Sequence, residues 1–293
     1  MPAQMNTSNV WTDKLQAIDL HQLHRSAVYS HIESDSGHIA FLMATILLDE
    51  FFGREWLQRK ILPSEVLKML LSGAEDFIGE SKIKNRTLML AEGLYNLRNI
   101  IGFDNVIEKL AYDEIESALA EIESGRLFSH QGYNFEYINR TGQKGLDFDI
   151  LMRHGNTYVH CETKRKIDSS KFSPNAFSNT LTKAKKQLPR EGSSIILIKT
   201  PDSWENNENE MKETAQQFVN KTQRSIGVVC WREKWIRTCD AEYLKHMTGF
   251  ETYNQLGNTE LRSIIPVIPA QPINSNWTEF EKYADFCMRF TAQ

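Results

Sequence analysis

The chain has 293 residues, of which 41% are hydrophobic and 25% charged, the balance of an ordinary soluble globular protein long enough to bury a core. Its net charge of −4 argues against a protein that coats nucleic acid with its whole surface. The charge is unevenly placed: residues 139–199 hold twelve Lys and Arg against five Asp and Glu, a net of +7, which leaves −11 for the rest. A local basic surface of this kind suits a polyphosphate substrate, and solvated helix and loop lysines are the plainer alternative. Cys161, Cys230, Cys239 and Cys287 are scattered with no C-x-x-C pair, which argues for reduced thiols and against a structural zinc. The opening residues lack the basic-then-apolar run of a signal peptide. The longest apolar run, 39–48, is shorter than the roughly 20 residues that a membrane span needs. The expectation is a cytoplasmic protein that does not enter a membrane.

Up to about residue 103 the periodic segments are helical. The run 39–57 is strongly apolar, Pro63-Ser64-Glu65 opens a helix that Gly73 can end, and a further helix from about Arg86 to Ile101 stops at Gly102. His21, His24, His31 and His38 are spaced by 3, 7 and 7 residues, which suits one helix face. A metal reading is open too, although no cysteine or H-E-x-x-H pattern accompanies them. This region is a docking, dimerisation or target-selecting module, the place for a second copy of the chain or a protein partner. From about Asp104 to His130 the periodicity predicts one long helix, with Leu110, Ala111, Ala118, Gly125 and Phe128 in one stripe. Glu114 and Glu121 fall inside that stripe, and Glu116 and Glu123 lie outside it. An acid on an apolar stripe is costly unless it has a partner. The alternative sets Glu121 at the stripe's wet edge.

Residues 132–138 (GYNFEYI) alternate as a first strand, and 141–145 (TGQKG) make a turn. The run 145–166, GLDFDILMRHGNTYVHCETKRK, then predicts two strands joined by a tight turn at His154-Gly155-Asn156. Asp147 opens the first of them with Asp149 on the same face, and Glu162 and Lys164 project together from the second. Carboxylates gathered in this way suit a hard, oxygen-preferring cation such as Mg²⁺. Ser173-Pro174 starts a helix whose buried stripe is Phe177, Leu181, Ala184 and Leu188, with Lys183, Lys185 and Lys186 outside it and Gln187 flanking it. The run 194–199 (SIILIK) is a strand buried on both faces. A polar loop, 204–210, leads to a helix ending near Lys221, and 226–231 (IGVVCW) is a fifth strand. The tail carries Pro266, Pro269 and Pro272 and an amphipathic end near Trp277 to Phe290.

Asp147 followed, after a hairpin, by Glu162-Thr163-Lys164 resembles the signature of the PD-(D/E)xK nuclease superfamily, with Leu146 where proline usually stands. Glu-x-Lys also occurs at Glu80-Ser81-Lys82 and Glu210-Met211-Lys212, but only the middle copy follows an aspartate strand inside an apolar alternating run. The resemblance covers about residues 104–231. It implies an α/β fold, a mixed central sheet flanked by helices with a restriction-endonuclease-like core at 104–235. That core lies between an all-helical N-terminal region, 1–103, and a C-terminal extension, 236–293. The implied function is metal-dependent hydrolysis of nucleic-acid phosphodiester bonds, with DNA the favoured substrate. Asp147 and Glu162, with the Thr163 carbonyl, would hold Mg²⁺, for which Mn²⁺ can substitute, and Asp149 is the alternative to Asp147. Glu121, Gly125, Phe128 and Gly132 match the spacing by which such a family's helix adds a glutamate to the site. Lys164 would orient the attacking water and Gln187 would contact water or phosphate. Lys144, Arg165, Lys166, Lys183 and Lys186 would face the nucleic acid. In that family, cutting both strands often goes with a homodimer. Two other readings stay open: a nuclease-like binding module without turnover, and an unrelated α/β interaction protein in which Glu162 and Lys164 are a same-face ion pair.

Overall fold

Apolar helices and alternating strands sort into two compact units, residues 1–99 with 274–293, and residues 100–273. This computed structural model describes residues 8–30, 36–61, 77–112, 114–139, 141–143, 145–166, 170–237, 243–254, 261, 279–280, 282–284 and 287. The helix start at Pro63, the thiol Cys239 and the three tail prolines lie outside the described residues.

The first unit contains α1 (Ser8–Gln16), α2 (Leu20–Ser30), α3 (Ser36–Phe52), α4 (Arg54–Lys60) and α5 (Phe77–Asn96). A helix that is apolar all round has to be covered on every side, and α3 is one: Ile39, Ala40, Phe41, Met43, Ala44, Leu47, Leu48 and Phe51 are all buried. It packs against α2, α4 and α5. The four histidines do not share one helix face, because α2 ends at Ser30. His21 and His24 lie on α2, His38 lies on α3, and His31 is outside the described residues. His21 Nδ1 is 3.2 Å from the Tyr283 hydroxyl, and His24 meets the same ring edge-on. No helix among the described residues is long and apolar enough to cross a membrane.

The second unit is built on a six-stranded mixed sheet: β1 (Asn134–Tyr137), β2 (Ile150–His154), β3 (Thr157–Arg165), β4 (Ser193–Lys199), β5 (Ser225–Arg237) and β6 (Tyr243–Tyr253), side by side in that order. β1, β2 and β3 form an antiparallel meander, β3, β4 and β5 run parallel, and β6 returns antiparallel to β5. Parallel neighbours need a crossover. Pro174–Gln187 (which we call α8) carries the chain from β3 to β4, and Glu208–Asn220 (α9) carries it from β4 to β5. Every residue of β4 is buried, as a central parallel strand covered on both faces requires. On one face Ile196, Ile198, Ile226, Val228 and Cys230 pack with Phe177, Leu181 and Ala184 of α8 and Met211, Ala215 and Val219 of α9. On the other face lie Phe103–Ala111 (α6) and Ile115–His130 (α7), which contact β1, with α7 also on β3 and β4. The protein is thus α/β, with helices flanking a mixed sheet and a helical N-terminal region.

The registers Glu162↔Ile196 and Lys164↔Ile198 put Glu162 and Lys164 on the α8/α9 face. Side chains alternate along a strand, so Thr163 and Arg165 point to the α7 face. The contact between α7 and β1 is close: a Cβ on Gly125 would fall 1.9 Å from the Tyr137 hydroxyl oxygen, so a side chain there would have to displace the Tyr137 ring.

Five expectations are corrected. The predicted helix over 104–130 is two helices, because the chain turns between Ala111 and Ile115; each then buries its own apolar face, Phe103, Val106, Ile107 and Leu110 in α6. α7 is buried at every position from Ala118 to Phe128, so Glu123 does not lie outside a stripe. The strand expected from residue 145 begins at Ile150, and the sheet continues past residue 235 into the rest of β5 and all of β6. The polar loop at 204–210 starts as a 3₁₀ helix, Asp202–Asn207, whose buried Trp204 donates its indole N–H to the Ser170 carbonyl at 2.7 Å.

Candidate active site

The site forms where β2 and β3 part. Their ladder ends at Ile150↔Cys161, whereas β3 runs on beside β4 to Arg165. The Asp149 amide still donates to the Cys161 carbonyl at 3.0 Å. Beyond that point the Thr163 N–H donates to the carboxylate of Asp149, 2.8 Å from Oδ2, in place of a backbone carbonyl. The Thr163 hydroxyl donates to the same oxygen at 3.0 Å. A strand residue turns its N–H and C=O toward the same neighbour, so the Thr163 carbonyl faces this gap too. The other oxygen of Asp149, Oδ1, lies 3.9 Å from Lys109 Nζ. That ammonium donates to both carboxylate oxygens of Glu121 at 2.7 Å. Glu121 is fully buried and Asp149 is 2% exposed, so Glu121 is an acid on an apolar helix face with partners, and it is not at a wet edge. The negative field reaches the neighbours: burial and then Asp149 push the Cys161 thiol up, and burial and then Glu121 push the Tyr137 phenol well up.

Asp147, the first choice for the metal-binding aspartate, is not part of this group. It lies in the loop before β2, and its Oδ1 accepts hydrogen bonds from the Thr141 N–H at 2.8 Å, the Thr141 hydroxyl at 3.0 Å and the Gly142 N–H at 2.9 Å. Slight burial pushes its carboxyl up, but these bonds and one from Gln143 outweigh it and hold the carboxyl below its ordinary value. Asp147 shapes the turn, and Asp149 occupies the position where the strands open. Gln187 does reach this loop: its side-chain amide is 3.4 Å from the Asp147 carbonyl.

On the opposite face of β3 the fully buried Glu162 accepts a hydrogen bond from the Lys164 ammonium. Lys166 is pushed below the ordinary lysine value by burial first and then by the Lys183 and Lys164 ammoniums. Lys164 of β3 and Lys183 of α8 thus both bear on Lys166, just past the end of β3, an arrangement that an anion relieves. Lys186 is exposed on α8 and Lys144 lies outside the described residues.

Arg165, expected to face nucleic acid, points the other way. Its Nε is 2.8 Å from Glu116, and an NH1–Glu123 contact is also 2.8 Å. Lys199 Nζ completes a brace, 2.6 Å from Glu123 and 3.0 Å from Glu233 of β5. Burial pulls the guanidinium down, but Glu123, Glu116 and Glu233 outweigh it and raise its pKa. This brace was not foreseen; the signal available for it was the seven-residue spacing of Glu116 and Glu123, which places both acids on one side of a helix.

Among the described residues no three His, Cys, Asp or Glu side chains are grouped as a metal-ligand set. Glu121 and Asp149 are joined through an ammonium, and Glu162 leaves β3 on the other face. The donors fit a hard divalent cation all the same: two buried carboxylates already gathered round a positive charge, with a strand carbonyl beside them, are all oxygen ligands. Set against protein-family models, curated proteins and solved structures, the chain shows no match.

Proposed function

We propose that the chain is a metal-dependent nuclease, hydrolysing phosphodiester bonds of nucleic acid with DNA as the favoured substrate. The observation that carries this reading is the parting of β2 and β3 at Asp149, directly beside Glu162-Thr163-Lys164. The antiparallel meander followed by a crossover helix and a parallel strand supports it as a restriction-endonuclease-like core. Asp149, Glu121 and the Thr163 carbonyl are the groups that would hold Mg²⁺ or Mn²⁺, with Glu162 on the adjoining strand position. A divalent cation held there would supply a Lewis acid and lower the pKa of a water. Lys164, paired with Glu162 on the other face of β3, would offset charge developing on the phosphate. Lys166 and Lys183 hold the neighbouring backbone phosphates, which relieves the mutual repulsion of the three ammoniums. Gln187 keeps the Asp147 loop against the end of α8.

The test is cleavage of mixed DNA and RNA substrates with Mg²⁺ or Mn²⁺. The changes Asp149→Ala, Glu162→Ala and Lys164→Ala should each lower the rate by roughly a hundredfold or more. Unaltered metal-dependent cleavage in Glu162→Ala and Lys164→Ala would falsify the assignment. A second reading, a nuclease-like module that binds without cutting, is favoured by the ammoniums that already neutralise Glu121 and Glu162. It predicts salt-sensitive binding with no turnover.

A further inference from the structure

The feature of the site that the motif does not account for is Lys109. It sits in the last turn of α6, and its ammonium is 2.7 Å from Glu121 and 3.9 Å from Asp149, on side chains that are each 1% exposed. We propose that Lys109 is an exchangeable internal counter-ion, neutralising Glu121 and Asp149 in the metal-free protein and withdrawing from them when a divalent cation is taken up. The inference rests on the nuclease reading of the site and adds a means of regulation to it.

Three observations carry it. A buried carboxylate needs a partner, and here one ammonium approaches two of them, so the acids can stand ready-made without metal. Lysine is a compact charge on a flexible four-carbon stem, unlike the arginine fork that holds Glu123 in place. The Lys109 side chain is 13% exposed against 1% for the acids it touches, so it reaches the surface where they do not. A cation ligated by Glu121 and Asp149 needs the space and the lone pairs that the ammonium now takes, so the two occupants exclude each other. Lys164 is a separate case, bonded to Glu162 on the far face of β3. Competition with a resident ammonium sets the metal concentration at which the site fills.

The experiment is calorimetric titration of the full chain with Mn²⁺, comparing wild type with Lys109→Met and Lys109→Gln, alongside urea unfolding with and without Mn²⁺. Removing a unit charge from beside the ligands should tighten Mn²⁺ binding by roughly tenfold or more. The metal-free variants should unfold at lower urea than wild type, and Mn²⁺ should raise their midpoints by more than it raises that of wild type. Equal or weaker binding by both variants, with wild type binding Mn²⁺, overturns the counter-ion role and leaves the metal site standing. No binding by wild type or by either variant overturns the metal site itself. If neither variant folds without metal, refolding in Mn²⁺ becomes the readout: recovery supports the exchange, and failure overturns it.

Discussion

Glu121 and Glu123 stand two residues apart on α7, both buried, and the company they keep is different. Glu123 is clasped by Arg165 and Lys199 from two adjacent strands at 2.8 and 2.6 Å, with Glu116 and Glu233 closing the ends. Glu121 meets the Lys109 ammonium and, at 3.4 Å, the Ser117 hydroxyl, and Asp149 approaches the same lysine more loosely. The first set ties α7 to β3, β4 and β5 with a guanidinium that stays charged at every accessible pH. The second is held by a single lysine, Lys109, a compact charge on a flexible stem. A buried charge cluster is therefore not a functional site by virtue of burial. What separates the two is the number of cations: a guanidinium and an ammonium clasp Glu123, and one ammonium serves both Glu121 and Asp149.

The comparison is broken most severely at the brace. Glu123→Ala leaves Arg165 and Lys199 without the acid they share and should destabilise the fold by about 3–5 kcal/mol, read as the urea midpoint. A loss close to that of an ordinary surface change would mean that the brace is no firmer than the site. Next in size is Asp149→Asn, which keeps an acceptor for Thr163 but not its charge. It should lower stability by about 1–2 kcal/mol, and the Mn²⁺ heat should vanish with it.

Lys166→Ala and Lys183→Ala sharpen the contrast from the other side. Stability should stay within about 0.5 kcal/mol, and the salt dependence of nucleic-acid binding should lose about one unit of slope for each change. An undiminished slope in filter-binding titrations would remove both lysines from the interface. The smallest effect is that of Asp147. Its folded carboxyl lies below the ordinary value of 3.8, so the folded chain binds that proton more weakly than the unfolded one. The stabilisation is complete above that value and fades as pH falls through the lower folded value. The stability gap between wild type and Asp147→Asn should therefore be constant near neutrality and close in acid; a gap that persists at low pH assigns it to something other than the carboxylate charge.

The hairpin, the two crossover helices and the buried strand β4 were legible because each carries its own period, and Ser173-Pro174 marked the start of α8 in advance. Glu121 was legible as an acid out of place on an apolar helix. Its partner Lys109 was not: a single rod over 104–130 would carry residue 109 about 18 Å from residue 121 at 1.5 Å per residue, and only the turn after Ala111 brings them together. Asp147 and Asp149 could not be told apart in the sequence for a local reason. Both alternate correctly, and what decides between them is a turn, Thr141 and Gly142, that captures the first carboxylate. β6 was hidden because the buried residues among its described side chains, Met247, Phe250 and Thr252, do not all share one face.

The Thr163 amide, donated to a carboxylate and not to a neighbouring strand, gives the molecule a built-in reporter. Its proton lies 2.8 Å, nitrogen to oxygen, from the acid that opens the site, so its nuclear magnetic resonance frequency follows the electron density on Asp149 directly. The amide of Lys166, bonded to the Lys199 carbonyl on the β4 side of the same chain segment, shares the sheet without touching that acid. Recorded together, the two signals would register any change at Asp149 as a shift of one against the other, before a substrate has been found.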